Sequence, residues 1–281
     1  MEERRTVLIT GCSSGFGLLS ALRFAREGWR VAATMRDPAK AGDLKSRAEA
    51  EGLAGIVVDQ LDVTSDESVR RAVIAVHERE GNIDALVNNA GYGYFAFVED
   101  GDLDEVRANF ETNVFGLLRV TQQVIPIMRE QRSGRVVNLS SLVGRFAFPL
   151  SGLYAGTKHA VEAISEALAY EVAAFGISVS VVQPGTFPTN FQTTSPRGSP
   201  KTKDPNSPYA PLLVKVKERR NAQAAVSGDP AQVADAIYRA VTDDPPKMWY
   251  RVGVDAEEYL GKRRTLPEED WVRFMMDLHK T

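Results

Sequence analysis

A β-branched run that stops at a glycine and restarts as a helix leaves a chain few folds to adopt. Thr6 to Thr10 (TVLIT) lacks polar alternation, the pattern of a strand buried on both faces. Thr10-Gly11-Cys12-Ser13-Ser14-Gly15-Phe16-Gly17 follows. A helical pattern then runs to about Glu27, with Leu18, Leu22 and Ala25 inward and Gly28 as its stop. Gly11 serves the tight turn, while Gly15 and Gly17 let backbone approach a phosphate and helix approach sheet. The helix N-terminus presents free N–H groups and a positive dipole end, a site for a pyrophosphate. Ser13 and Ser14 add hydroxyls for phosphate or ribose. Cys12 is the sole cysteine, so it reads as a small filler and excludes an internal disulfide or a cysteine-based metal site.

The strand–helix alternation continues. Further strands are expected at Arg30 to Thr34, Gly55 to Val58, Asp84 to Val87, Arg135 to Leu139, Ile177 to Val182 and Lys247 to Val252. Helices are expected over about 38–51, 67–80, 102–128, 154–175 and 229–241, with short terminal pieces around 255–260 and 267–278. Pro126 should end or kink the long helix. This order predicts an α/β, doubly wound, Rossmann-like parallel sheet of about seven strands, helices on both faces, in a single domain spanning 1–281. The end of the second strand selects the dinucleotide. An acidic residue there binds the ribose hydroxyls of NAD; here Met35 is followed by Arg36, whose guanidinium suits the extra phosphate of NADP(H). Asp37 keeps NAD(H) as the second reading.

Tyr154-Ala155-Gly156-Thr157-Lys158 places a phenol and an ammonium one helical turn apart on one face. A nearby ammonium favours the phenolate, so the pair can exchange a proton with a carbonyl or alcohol. Arg135-Val136-Val137-Asn138-Leu139-Ser140-Ser141 is a buried strand ending in hydroxyls. Between these segments and the glycine turn lie Asn88-Asn89-Ala90-Gly91 and Thr112-Asn113-Val114. The ordered set resembles the short-chain dehydrogenase/reductase family in its TGxxxGxG form, over almost the whole chain.

The resemblance implies the strand order 3-2-1-4-5-6-7 and a hydride transfer between a nicotinamide coenzyme and a carbonyl or secondary alcohol. It implies that Tyr154 exchanges the proton, Lys158 binds the nicotinamide ribose and lowers the Tyr154 pKa, and Ser141 (Ser140 the alternative) orients the oxygen. Asn113 is implied to hold a kinked turn and a relay water. In Leu61-Asp62-Val63-Thr64, Asp62 is implied to meet the adenine amine. Asn89-Ala90-Gly91 is implied to line the nicotinamide ribose, and Pro184-Gly185-Thr186-Phe187-Pro188-Thr189 to flank its carboxamide, with Thr189 as a hydroxyl contact. The 160–175 helix, apolar on more than one face, and the Asn113 helix suggest a homodimer or homotetramer.

Phe95, Phe97, Phe146, Phe148, Phe187 and Phe191 fall near the expected cleft, and the pattern resembles members acting on steroid- or retinoid-like alcohols and ketones. The polar, Pro-rich stretch over about 193–208 resists regular structure and is expected to form a substrate lid within 186–228. A net charge of −3 gives no footprint for nucleic acid. No run has the length of a membrane span and the N-terminal residues lack a signal-peptide core, so a cytoplasmic protein is expected. No metal is required. The rival readings are an NADP(H)-sensing regulator without turnover, which would not need the Tyr–Lys pair, and a sugar epimerase or dehydratase of the extended family, which would carry a different glycine spacing.

Overall fold

The computed structural model describes residues 4–189, 198–225 and 227–280. Among them, seven strands form one parallel sheet: β1 (Thr6–Thr10), β2 (Arg30–Met35), β3 (Ile56–Gln60), β4 (Ala85–Asn88), β5 (Gly134–Leu139), β6 (Ile177–Pro184) and β7 (Trp249–Val252). Their spatial order is β3-β2-β1-β4-β5-β6-β7, as expected. The helices in chain order are α1 (Gly15–Arg26), α2 (Gly42–Ala50), α3 (Asp66–Glu80), α4 (Leu103–Phe110) and α5 (Gly116–Gln131). They continue as α6 (Gly152–Val172), α7 (Ala210–Ala225), α8 (Ala231–Thr242), α9 (Val254–Thr265) and α10 (Glu268–Leu278).

Val7 of β1 pairs with Val31 on one side and Ala85 on the other. The chain therefore leaves β1 outward to β2 and β3, then returns to the opposite side for β4. The reversal opens a crevice at the carboxyl ends of β1 and β4, where doubly wound sheets take their ligands. Leu22 and Phe24 of α1, Leu44 of α2 and Ile237 of α8 bury one sheet face against Val31 and Val137. Val73 of α3, Val120 and Val124 of α5 and Val172 of α6 cover the other against Leu8, Leu86 and Val136. Each such side chain contributes about 1.5–3 kcal/mol by leaving water, so the crevice sits on a rigid platform.

Three segments depart from expectation. The long helix is not continuous: a π-helical turn, Glu111–Phe115, separates α4 from α5. Pro126 does not end α5, which runs five residues further to Gln131. Both Pro126 and the Gln122 one turn earlier are exposed, so the carbonyl that loses its helical partner faces water rather than core. The third is α7, which shows little apolar periodicity because only Leu213 and Val216 are buried along it.

Of the polar stretch over 193–208, residues 193–197 lie outside the described residues, as does Phe191. The rest holds one short 3-10 turn, Lys201–Lys203. It is pinned by Thr202, whose hydroxyl donates to Asp100 at 3.0 Å and accepts from the Phe97 N–H at 3.4 Å. The terminal pieces are full helices. They close one end of the cleft through a ring cluster in which Phe146 meets Trp271 at 5.1 Å and Phe148 meets Tyr259 at 5.1 Å.

Candidate functional site

The glycine turn is set by backbone demands. Gly11 has a φ of +76°, a left-handed conformation that costs other residues strain. A Cβ on Gly17 would run into the Gly11 carbonyl oxygen, so only glycine lets α1 start this close to the turn. Ser14, the N-cap of α1, makes no side-chain capping bond, which leaves first-turn N–H groups without that partner. Asn89 laces the turn to β4: its Nδ2 donates to the Thr10 carbonyl at 2.8 Å and to the Gly11 carbonyl at 3.1 Å. The Thr10 hydroxyl in turn accepts from the N–H groups of Asn89 and Ala90, each at 3.0 Å. Cys12 is fully buried, its thiol pushed well up by burial, and it is a filler as expected.

A cavity of about 690 Å³ opens along these strand ends. Of the catalytic and coenzyme-binding residues expected from the sequence, all but Gly17 and Asn113 line it. A glycine turn that a Cβ would fill, uncapped N–H groups and a long cleft fit a dinucleotide.

At the end of β2 the side chains divide. Met35 is buried, while Arg36 is exposed and borders the cavity. Asp37 does not border it; its Oδ1 accepts from the Ala39 N–H at 3.0 Å and caps the 3-10 turn Pro38–Ala41. That turn brings Lys40 to the cavity beside Arg36, a second cation the sequence reading missed. Asp62 reaches the same wall, held by an Asx turn in which its Oδ1 accepts from the Thr64 N–H at 3.0 Å and hydroxyl at 2.8 Å. It is Ser65, not Asp62, that caps α3.

Farther along, Ser141, two residues past β5, caps a 3-10 turn, Leu142–Gly144. Its hydroxyl is hydrogen-bonded to the Tyr154 phenol, which stands in the first turn of α6 and is 6% exposed. Ser140 also borders the cavity, but its Oγ is buried without a hydrogen-bond partner among the described residues. Burial pushes the Tyr154 phenol up, and the Ser141 bond opposes this. Lys158 Nζ lies 5.9 Å from the Tyr154 ring centroid and donates to the Leu139 carbonyl at 2.7 Å.

Lys158 is shifted too. Burial lowers its pKa to about 8, opposed by the charge of Glu162. Glu162, one turn on and buried, accepts from Gln183 Nε2 at 2.9 Å and from Trp249 Nε1 at 3.1 Å. Arg145 stands 3.9 Å from the same carboxylate with its guanidinium over the Trp249 ring, and it does not border the cavity. Arg145 is a brace. Glu162 was missed in the sequence, where a Glu one turn after a Lys reads as an ordinary surface pair; its burial is a tertiary fact.

Asn113 occupies the π-helical turn and is 2% exposed. Its Nδ2 donates to the Tyr92 carbonyl at 2.9 Å and to the Thr157 hydroxyl at 3.1 Å, and its Oδ1 accepts from the Tyr92 N–H at 3.0 Å. It thus clamps the loop after β4 onto α6, and the π turn is the backbone widening that lets it reach both. Asp255 plays a similar part at the far wall. It accepts from the Thr186 N–H at 2.8 Å and stands where a Gly185 side chain would be. The aromatic residues divide: Phe95, Phe148 and Phe187 border the cavity, whereas Phe97 packs with α7 and Phe146 with the two terminal helices.

The family model described as short chain dehydrogenase matches residues 5–199. A 3-ketodihydrosphingosine reductase of Bacteroides thetaiotaomicron is 33% identical over 279 residues, covering 98% of this chain and 97% of the relative. Retinol dehydrogenase 8 of Homo sapiens is 36% identical over 253 residues, 87% of this chain and 80% of the relative. The crystal structure of a short-chain dehydrogenase from Streptomyces avermitilis superposes with a TM-score of 0.83 at 34% identity, covering 99% of this chain and 96% of that one. With the family model matching residues 5–199 and relatives and a solved structure alike over nearly its whole length, the chain belongs to the short-chain dehydrogenase family of oxidoreductases.

Proposed function

We propose that the protein is an NADP(H)-dependent oxidoreductase that interconverts a lipophilic carbonyl compound and its secondary alcohol. The observation that carries this reading is the Tyr154 phenol, hydrogen-bonded to Ser141 on the wall of a cavity continuous with the glycine turn. A bound nicotinamide supplies or accepts the hydride and, when oxidised, a positive charge near the phenol. Tyr154 gives or takes the proton at its Oη, and Ser141 holds the substrate oxygen. Lys158, released from the Leu139 carbonyl, holds the ribose hydroxyls. Asn113 keeps the loop and α6 in register. Arg36 and Lys40 form the pair that favours NADP(H) over NAD(H). Phe95, Phe148, Leu142, Leu150 and Val216 give the substrate end apolar walls, in keeping with relatives named for retinol and for 3-ketodihydrosphingosine.

The lid in this reading is α7. Leu213 and Val216 are the two side chains buried along it, against Phe97 and Leu150, so it has few apolar contacts to hold it down. Phe115 and Tyr170, 49% and 74% exposed on the π turn and on α6, support a homo-oligomer built on those elements. The test is NADPH oxidation by the purified protein against a panel of apolar ketones and aldehydes. Turnover of at least one is expected; NADPH binding without turnover of any would leave a coenzyme sensor instead.

The ammonium of Lys158 leads to a pH prediction. Its pKa of about 8 means that the charge is present below that pH and lost above it. Glu162 favours the charged form, so Glu162→Gln lowers the Lys158 pKa further and the ammonium is lost at a lower pH. The alkaline fall of kcat/KM is therefore expected to move toward neutrality in Glu162→Gln, and an unmoved limb would remove Lys158 as its source.

A further inference from the structure

The end of the cavity remote from the glycine turn is not uniformly apolar. Arg219, Arg220 and Gln223 of α7 reach it, together with His279 just beyond α10. Both arginines are half-buried, and among the described residues neither forms an ion pair with a carboxylate. Arg219 donates to the Tyr259 hydroxyl and to the Leu278 carbonyl at 3.4 Å, while its buried Nε has no hydrogen-bond partner. The Arg220 guanidinium lies 5.1 Å from the Phe95 ring centroid. Phe95 in turn lies 5.6 Å from the Tyr154 ring. Arg220, Phe95 and Tyr154 thus follow one another along one wall.

A buried cation without a counter-ion is costly, and proteins ordinarily pair it. Here burial lowers the Arg220 pKa, and His279 is held below its ordinary value first by burial and also by the Arg219 charge. Among the described residues no carboxylate pairs with either arginine, and both border the cavity.

We propose that Arg220, with Arg219 beside it, receives an oxyanion group of the substrate, a carboxylate or phosphate at the far end of a lipophilic body whose carbonyl or carbinol carbon meets Tyr154. This rests on the oxidoreductase reading and narrows its substrate class. Two guanidiniums in a poorly hydrated cavity repel an ammonium, so a sphingoid base is the wrong charge for this chain even though a relative is named for one. Arginine also matches a planar carboxylate or a phosphate in two-point contact, which lysine does not.

The test compares kcat/KM with NADPH for three ketones of one carbon skeleton: a long-chain oxo-carboxylic acid, its methyl ester and the amine analogue. A phosphate monoester of the same skeleton separates the two oxyanion sources. The wild-type protein is expected to prefer the acid or the phosphate over the ester by about 10-fold or more, the range of a hydrogen bond to a charged group, and to use the amine least. Arg220→Gln is expected to collapse that ratio and Arg220→Lys to restore part of it, with thermal unfolding confirming that both variants fold. Equal use of acid and ester by wild type, or a preference that survives in both Arg220→Gln and Arg219→Gln, overturns the proposal and leaves the oxidoreductase reading standing. Weaker NADPH binding by Arg220→Gln, matching its loss on the acid, overturns it by assigning the guanidinium to the coenzyme. Failure of every ketone, the neutral ester included, overturns the oxidoreductase reading and this inference with it.

Discussion

Tyr154→Phe is expected to abolish turnover, by about 10²–10⁴-fold in kcat, while NADPH binding stays close to wild type. The variant keeps the ring and its contact with Phe95 and removes one oxygen. The size follows from what that oxygen must do. Burial holds the phenol above its ordinary value, so in the protein alone Tyr154 is an acid at neutral pH, ready to give its proton to a developing alkoxide. In the reverse direction it must lose that proton, which needs positive charge brought to it. Lys158, its Nζ 5.9 Å from the Tyr154 ring centroid, is near enough to supply part of this. Stopped-flow single turnover of NADPH with a confirmed ketone, alongside a direct titration of NADPH, separates chemistry from binding. Turnover by Tyr154→Phe within tenfold of wild type would remove the phenol from the mechanism.

Changes at Arg36 are expected to reset coenzyme preference. Loss of a hydrogen bond to a charged group weakens binding by about 10- to 150-fold. Arg36 is exposed, so solvent screening places Arg36→Ala near the lower end, and Lys40 retains part of the attraction. NADH has no phosphate at this position and should be almost indifferent to Arg36→Ala. Arg36→Asp goes further: it repels the phosphate of NADPH and offers NADH a ribose acceptor. The ratio of NADH to NADPH dissociation constants across wild type, Arg36→Ala and Arg36→Asp is the measurement. A wild type that already prefers NADH would shift the selecting role away from Arg36, although Asp37 is committed to capping the next turn.

Much of this architecture was legible in the sequence because it is local. The TVLIT strand, the glycine turn and α1 are specified by consecutive residues, and the Tyr154–Lys158 spacing is fixed by helical geometry. What escaped depends on packing between distant segments. Glu162 looks like surface until Gln183 and Trp249, from β6 and β7, close over it. Lys40 reaches the cavity only because Asp37 bends the chain into a 3-10 turn. The π turn at Asn113 leaves no periodic mark, since five residues are too few to alter a helical pattern. The helix α7 carries only two buried apolar residues, so its existence rests on the loop beneath it rather than on its own sequence.

The lacing of Asn89 to Thr10 and Gly11 has a consequence for how such a protein changes. Four hydrogen bonds tie the glycine turn to the strand end beside it, so those two walls move as one block. The β2 corner is tied in by its backbone, through the Cys12 N–H to the Thr34 carbonyl at 2.9 Å, the Leu61 N–H to the Met35 carbonyl at 3.0 Å and a 3.3 Å bond from Gln60 to the Arg36 carbonyl, none of which uses the Arg36 side chain. Gripping and choosing thus fall to different side chains. Residue identity at 36 and 40 is free to drift, or to be redesigned, without disturbing the frame on which Ser141 and Tyr154 are aligned.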